Sequence, residues 1–390
     1  MEMASDIIGV VVGVSLFLWI GVGFRLWSMA KTKSTIREGL TLPTPENTTV
    51  SIIVPAHNEE RVIDRCATSL RNQSFTAIQI IFVLDRCTDS TLAILQKHAE
   101  EDSRICLIEN GSCPEDWAGK CNAAKVGAQQ ATGDWLLFTD ADTKFDRELV
   151  QCAVASAIKR GAALLSVLSS LTITKYFEKF VQPIAGTFLV RQFPIDKINR
   201  ERRSRPFANG QFMLFSREVY ESIGGHDSVK DDLLEDIAIA RVVHNNGGRV
   251  QMLFAEGMLK CSMYPNFEAF RRGWKRIYIE ASSRNVNRLI RSGMLAIIVS
   301  LLLPAAGVAG ILIGEGVSPL LFWVSIASLV AMVVVVGWLY SINSAPVVFA
   351  IFAPIGGLVV AILFFESAHM LKNRTPISWG GREYILEPRP

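Results

Sequence analysis

Residues 49–60 read TVSIIVPAHNEE. A β-branched apolar run ends at Pro55 and gives way at once to polar residues. It is followed by RVIDRCATSLRNQ (61–73), whose apolar positions recur at helical spacing, so the reading is a strand and then a helix. The same pairing returns in IQIIFVLD (78–85) and RCTDSTLAILQKHAEE (86–101), where Asp89 is placed to cap the second helix. RICLIEN (104–110) reads as a third strand. AGKCNAAKVGAQQATGD (118–134) is helical in pattern and leads into LLFTDADT (136–143), a fourth strand. Repeated strand–helix alternation predicts a parallel, doubly wound sheet. In such sheets ligands bind beyond the carboxyl ends of the strands.

The polar residues gather at that edge. His57, Asn58 and Glu59 follow the first strand, Asp85 and Asp89 the second, and Asp140 and Asp142 the fourth. One polar strand end is an ordinary turn, whereas three sets on one rim form a site. Asp140 and Asp142, two residues apart on an extended segment, face the same way and can share a divalent cation. A donor set of one or two carboxylates suits Mg²⁺ or Mn²⁺, which keep waters and take further ligands from a phosphorylated substrate. The pattern therefore points to chemistry on a diphosphate.

The chain has 390 residues, half of them hydrophobic, a net charge of +3 and a mean hydropathy of +0.29. That is too apolar for an ordinary soluble enzyme and too charged for a pure membrane bundle. The apolarity is concentrated in residues 6–28 and in three segments near 294–314, 318–340 and 346–366, each about long enough to span roughly 30 Å of hydrocarbon. The first begins with Glu2 and Asp6 where a signal peptide has a basic region, so it is expected to stay as an anchor. Lys31, Lys33 and Arg37 follow it, and Arg284, Arg288 and Arg291 precede the second segment. Positive flanks place the intervening domain, residues 48–285, in the cytoplasm. Seven cysteines without paired spacing fit a reducing compartment. One conflict stands: four full crossings put the tail, residues 367–390, outside, yet Lys372, Arg374 and Arg382 favour the cytoplasm. Pro346, Pro354 and Gly356-Gly357 mark the last segment as the one to be broken or re-entrant.

VPAHNEE, VLDRCTDST, GKCNAA, TDADT and LLEDIAIA, in this order and at these separations, resemble the membrane-anchored family 2 glycosyltransferases of the GT-A fold, over roughly residues 50–280. GGHDSVKDDLLED (224–236), SMYPNFEAFRRGW (262–274) and ISWGGREY (377–384) look most like the non-processive members that glycosylate lipids, such as ceramide glucosyltransferases and the enzymes of carotenoid and hopanoid pathways. The resemblance implies an α/β, Rossmann-like mixed sheet and inverting transfer from a UDP-sugar. It implies that Pro55, His57, Asn58 and Glu59 line the nucleotide pocket and that Asp85 hydrogen-bonds the base. It sets Lys120 and Asn122 near the ribose, diphosphate or sugar, Asp140 near the ribose or donor sugar, Asp142 on the metal, and Trp274 in the donor site.

The resemblance also implies that Asp236 is the general base, with Glu235 beside it. Attack of a hydroxyl on the anomeric carbon needs a carboxylate to accept its proton. An acidic start to an amphipathic helix would look the same in DDLLEDIAIARVV. A carboxylate acceptor needs little base assistance, so the Glu-Asp pair leans toward a hydroxyl. Processive members carry Gln-x-x-Arg-Trp in the register where this chain has Phe270, Arg271, Arg272, Gly273 and Trp274. That departure favours one sugar per acceptor over a growing polysaccharide. Arg271, Arg272, Lys275 and Arg276 either grip the diphosphate or face anionic headgroups. Residues 173–207 alternate aromatic and basic clusters around Pro183 and Pro194, the pattern of an interfacial segment that meets a lipid acceptor. Asn209, Gly210 and Gln211 are expected under the active site. A nucleotidyltransferase shares paired carboxylates but needs a glycine-rich basic loop that VPAHNEE lacks. The expected partners are thus a nucleotide-sugar, a lipid and the membrane, with no nucleic acid.

Overall fold

The computed structural model describes residues 2–193, 198–199 and 206–389. A long helix, α1 (Glu2–Thr32), enters the globular part through β1 (Val50–Ala56), α2 (Ile63–Arg71), β2 (Ile78–Asp85), α3 (Thr91–Glu101), β3 (Ile105–Asn110), α4 (Gly119–Gln130) and β4 (Trp135–Phe138). Next come β5 (Thr143–Phe145), α5 (Leu149–Arg160), β6 (Leu164–Leu168), β7 (Ser170–Leu171), α6 (Tyr176–Gln192), β8 (Met213–Ser216), α7 (Arg217–Ser222), α8 (Glu235–Asn245), β9 (Val250–Phe254) and β10 (Leu259–Cys261). The chain then returns to long helices: α9 (Phe267–Ala281), α10 (Val286–Ile297), which continues through a π-helical turn into α11 (Leu303–Val317), α12 (Pro319–Ile342) and α13 (Ala353–Lys372). A hairpin of β11 (Ile377–Trp379) and β12 (Arg382–Tyr384) comes after them.

The main sheet has the order β3-β2-β1-β4-β8-β6-β9. β1 pairs in parallel with both β2 and β4, and β2 with β3, as the strand–helix alternation predicts. β8 enters antiparallel between β4 and β6, which makes the sheet mixed and doubly wound, the arrangement of the GT-A fold. Alternation along the strands fills two cores. Ile52, Val54, Ile80 and Phe82 pack on one face, and Ile53, Ile81 and Val83 on the other, all at or near zero exposure. A sheet buried on both faces needs the continuous apolar runs seen in β1 and β2. A second sheet, β5-β10-β7, lies beyond the carboxyl end of β4 and carries the chain on from Asp142.

Among the described residues, four helices are long and apolar enough to cross a membrane: Met3–Thr32, Val286–Val317, Pro319–Ile342 and Val347–Lys372. α1 and α12 touch through Ser15 and Ser328, whose hydroxyls are 2.9 Å apart. α13 packs on α9, where the Phe364 ring stacks on Tyr278 with centroids 3.9 Å apart. Within the expected interfacial stretch, α6 is a helix with Pro183 inside it. Pro194 and most of the chain from there to residue 205 lie outside the described residues.

Candidate active site

The rim is built by the loops that leave β1, β2 and β4. After β1, Asn58 takes a left-handed conformation, φ 56°, and its side-chain oxygen accepts the backbone N–H of Thr88 at 2.8 Å. That bond fastens the first rim loop to the second. His57 reaches the same way, its Nδ1 lying 2.6 Å from the Asp85 carbonyl. Asp89 precedes the α3 cap position, held by Ser90, and takes the Thr91 N–H at 3.0 Å; Thr91 Oγ1 in turn accepts the Glu59 N–H at 2.9 Å. Pro55 lies in β1 itself, half-buried beneath this loop.

Asp85, 4% exposed at the end of β2, has both oxygens engaged. Arg86, also left-handed at φ 51°, donates to one at 2.6 Å, and Asn110 from the end of β3 donates to the other at 3.1 Å. A carboxylate fixed from two sides presents its remaining lone pairs in one direction, which suits recognition of a flat hydrogen-bonding group. Arg86 is a site residue that sequence reading passes over, because an arginine in a polar turn is ordinary until its partner is known.

Lys120, at the start of α4, links the two halves of the site. Its ammonium stands 2.6 Å from Asp140 and 2.6 Å from Glu235. Burial opposes its charge, but Asp140, Glu235 and Asp236 outweigh that and hold its pKa above the usual lysine range. Burial likewise opposes ionisation of Glu235, and Lys120 overcomes it, leaving the carboxyl below its ordinary pKa. Asp236 differs: burial and the Glu235 charge push it up to about 6. Both carboxylates sit in the first turn of α8, so the acidic helix start and the candidate base pair are one feature. The Gly210 N–H donates to Asp236 at 2.8 Å. A Cβ on Gly210 would come 3.0 Å from the Lys120 ammonium and 3.2 Å from Asp236, so a side chain here would crowd both groups.

Burial and Asp140 push Asp142 up to about 6, and burial with Asp142, Asp140 and Asp89 pushes Glu59 up to about 8. Such mutual repulsion is what a cation would relieve. Among the described residues no group of three His, Cys, Asp or Glu side chains forms a protein-only cage. Asp140 and Asp142 thus fit a hard cation that takes its other ligands from water and phosphate. Cys261, whose thiol faces Asp142 at 3.3 Å, and Arg65, which donates to the Asp142 carbonyl at 3.1 Å, steady the loop. Neither stands out in its own strand or helix pattern.

Two expected residues stand apart from this group. Asn122 is buried and donates to the Ser112 carbonyl at 3.3 Å. Trp274 is 2% exposed between Phe270 and Tyr278, and its indole N–H has no hydrogen-bond partner among the described residues. Of the basic residues around it, Arg272 is exposed and the other three have partners within the protein. Arg271 and Lys275 pair with Glu366 of α13, and Arg276 donates to the Leu233 carbonyl at 2.8 Å while lying 4.3 Å from the centre of the Trp379 ring.

Residues 51–224, which carry all three rim loops and Lys120, match the family described as Glycosyl transferase family 2. The chain carries a family 2 glycosyltransferase domain. Its curated relatives include the 4,4'-diaponeurosporenoate glycosyltransferases of Staphylococcus haemolyticus strain JCSC1435, 23% identical over 238 residues, and Staphylococcus aureus strain MRSA252, 24% identical over 229 residues. The alignments cover 60% and 58% of this chain and 62% and 60% of those relatives, so the chain spans about three fifths of their length. Among solved structures it is similar to the mannosyltransferase PcManGT from Pyrobaculum calidifontis in complex with GDP-Man and Mn²⁺, at 16% identity and a TM-score of 0.47 over 90% of this chain and 98% of that one. It is also similar to S. aureus TarS 1–349 in complex with UDP-GlcNAc, at 13% identity and a TM-score of 0.41 over 86% and 96%. In this glycosyltransferase domain the family match ends before α8, so Glu235 and Asp236 enter the site through the fold and not through the matched segment.

Proposed function

We propose that this family 2 glycosyltransferase moves one sugar from a nucleotide-diphosphate donor, a UDP-sugar, onto a hydroxyl of a membrane lipid, with inversion. The observation that carries the reading is Lys120, whose ammonium joins Asp140 of the donor rim to Glu235 beside Asp236. It brings the candidate donor-binding and proton-accepting groups into one cluster. Asp85 holds the base, with Pro55, His57, Asn58 and Glu59 lining that end, while Asn122 supports the loop ahead of α4. Asp140 and Asp142 would hold a Mg²⁺ or Mn²⁺ ion, which would neutralise charge on the diphosphate.

Asp236 accepts the proton of the acceptor hydroxyl as its oxygen forms a bond to the anomeric carbon. On the opposite face the bond from that carbon to the diphosphate oxygen breaks, and the nucleoside diphosphate leaves with the electron pair. A base with pKa about 6 is ionised at neutral pH and is a stronger proton acceptor than an ordinary aspartate. Lys120 supplies positive charge where the leaving group gathers negative charge. The lipid acceptor is supported by the apolar helices α6, α10 and α13, which pack together beside the domain, and by the carotenoid-pathway name of the relatives. The domain is read as cytoplasmic from the basic residues flanking α1 and α10.

The test is to incubate membranes containing the protein with labelled UDP-sugars and GDP-mannose and then extract the lipids. Label is expected in a lipid carrying one sugar, from a UDP-sugar, and lost in Asp142→Ala and Asp236→Asn. Label in a long water-soluble polymer would establish processive synthesis instead. Equal lipid labelling by wild type and Asp142→Ala would sink the cation role.

A further inference from the structure

The β11–β12 hairpin lies far from the domain in sequence, yet it spans the loops that leave β1, β2 and β3. Its turn is Gly380-Gly381, with φ of 55° and 71°, a left-handed conformation that favours glycine in a two-residue hairpin. A Cβ on Gly381 would come 2.9 Å from His57 Nε2, so the turn presses on the first rim loop. The Gly380 carbonyl accepts from Arg86 at 3.1 Å, and that same guanidinium group holds Asp85. Arg382 donates to the carbonyls of Cys113, Pro114 and Trp117 at 3.1, 2.9 and 2.9 Å. The Tyr384 hydroxyl accepts the Gly119 N–H at 3.2 Å, one residue before Lys120.

Hydrogen bonds to three carbonyls of one loop are more than is needed to tether a tail. They fix the shape of the segment between β3 and α4, and thereby where α4 starts. An α-helix leaves its first N–H groups without intrahelical partners, and Tyr384 takes one of them. Arg86, held between Asp85 and Gly380, couples the tail to the carboxylate at the base end. We propose that the C-terminal hairpin is a working wall of the donor site. Arg382, Tyr384 and Arg86 are positioning residues that set nucleotide affinity and base preference, and they leave the sugar-transfer step itself to Lys120 and Asp236. This rests on the nucleotide-donor reading above and extends it to Arg382 and Tyr384, which lie outside the matched family segment.

The experiment uses the full chain in nanodiscs and measures binding of UDP and GDP by calorimetry, alongside donor KM and kcat. Arg382→Ala is expected to weaken UDP binding about tenfold and to narrow the ratio of UDP to GDP affinity. kcat at saturating donor should stay within about twofold and acceptor KM should be unchanged. Tyr384→Phe, which deletes a single hydroxyl, should weaken UDP binding about threefold, and Gly381→Ala should act in the same direction. Ser378→Ala, on the exposed outer side of the hairpin, should match wild type. UDP affinity equal to wild type in Tyr384→Phe and Gly381→Ala, or a fall in kcat with binding intact, overturns the proposal and leaves the donor reading standing. Failure of the wild-type protein to bind any nucleotide overturns both.

Discussion

Asp236 and Glu235 are sequence neighbours whose environments separate them. Glu235 is 3% exposed and tied to Lys120, whereas Asp236, among the described residues, accepts only backbone N–H groups, from Gly210 and Ile237. A carboxylate has about four acceptor sites, so Asp236 keeps lone pairs for a hydroxyl proton. Asp236→Asn is expected to lower kcat by about 10²- to 10⁴-fold with UDP binding retained. A base with pKa about 6 must be ionised to work, so kcat/KM should fall as pH drops through about 6. Glu235→Gln removes the like charge that raises Asp236 and should move this acid limb to lower pH; a limb moving upward would contradict the assignment. Lys120→Ala should lower stability by about 3 kcal/mol, because it strands the buried Glu235 charge. Adding Glu235→Gln should recover part of that loss in a thermal unfolding series.

At the scale of elements, α9 and α13 decide how the domain meets the membrane helices. Tyr278 and Phe364 are both fully buried and stacked, and Glu366 takes Arg271 and Lys275 close by on the same helix. Phe364→Ala should destabilise the chain by about 3–5 kcal/mol and expose α9 to hydrogen exchange ahead of β1 and β2. Protection of α9 unchanged from wild type would show that α13 does not support it. Sequence leaves both readings of the basic residues of α9 open, diphosphate grip or headgroup contact, because a cation in isolation fits either; only the fold supplies Glu366 and the Leu233 carbonyl. β1, α2, β2, α3, β3 and α4 are legible from periodicity, since each buries a regular pattern of its own residues. The antiparallel course of β8 is not, because MLFS reads the same in either direction. Nor is the docking of β11 and β12, three residues each, whose contacts reach across more than half the chain. The rim carboxylates stand out because strand ends bring them together, while Arg86, Cys261 and Arg65 act through partners that only the tertiary structure names.

At the scale of the whole molecule, counting crossings limits how the chain can sit in a bilayer. α1 delivers the chain to the domain, and Lys33, just beyond it, pairs with Glu256 in the turn between β9 and β10. Three apolar helical stretches, residues 286–317, 319–342 and 347–372, come before the hairpin. If all three crossed, the hairpin would emerge on the side opposite the domain, yet it is hydrogen-bonded to Arg86, Cys113 and Gly119. At most two of them cross. α12 ends on the domain side, since the Tyr340 hydroxyl reaches the Phe180 carbonyl of α6 at 3.0 Å. The stretch at 347–372 therefore starts and finishes on that side. Its most apolar window is 44% buried in protein, against 17%, 22% and 28% for the other three, as expected of a helix lying along the domain instead of facing lipid all round. On this count the basic tail and the domain lie on one side. In a cysteine-free background reconstituted into sealed vesicles, Ser344→Cys and Arg374→Cys should both react with a membrane-impermeant thiol reagent from the side that cleaves the domain with protease, and Ser318→Cys only from the other. Arg374→Cys reacting together with Ser318→Cys would require the last helix to cross, and the hairpin could not then touch the donor rim.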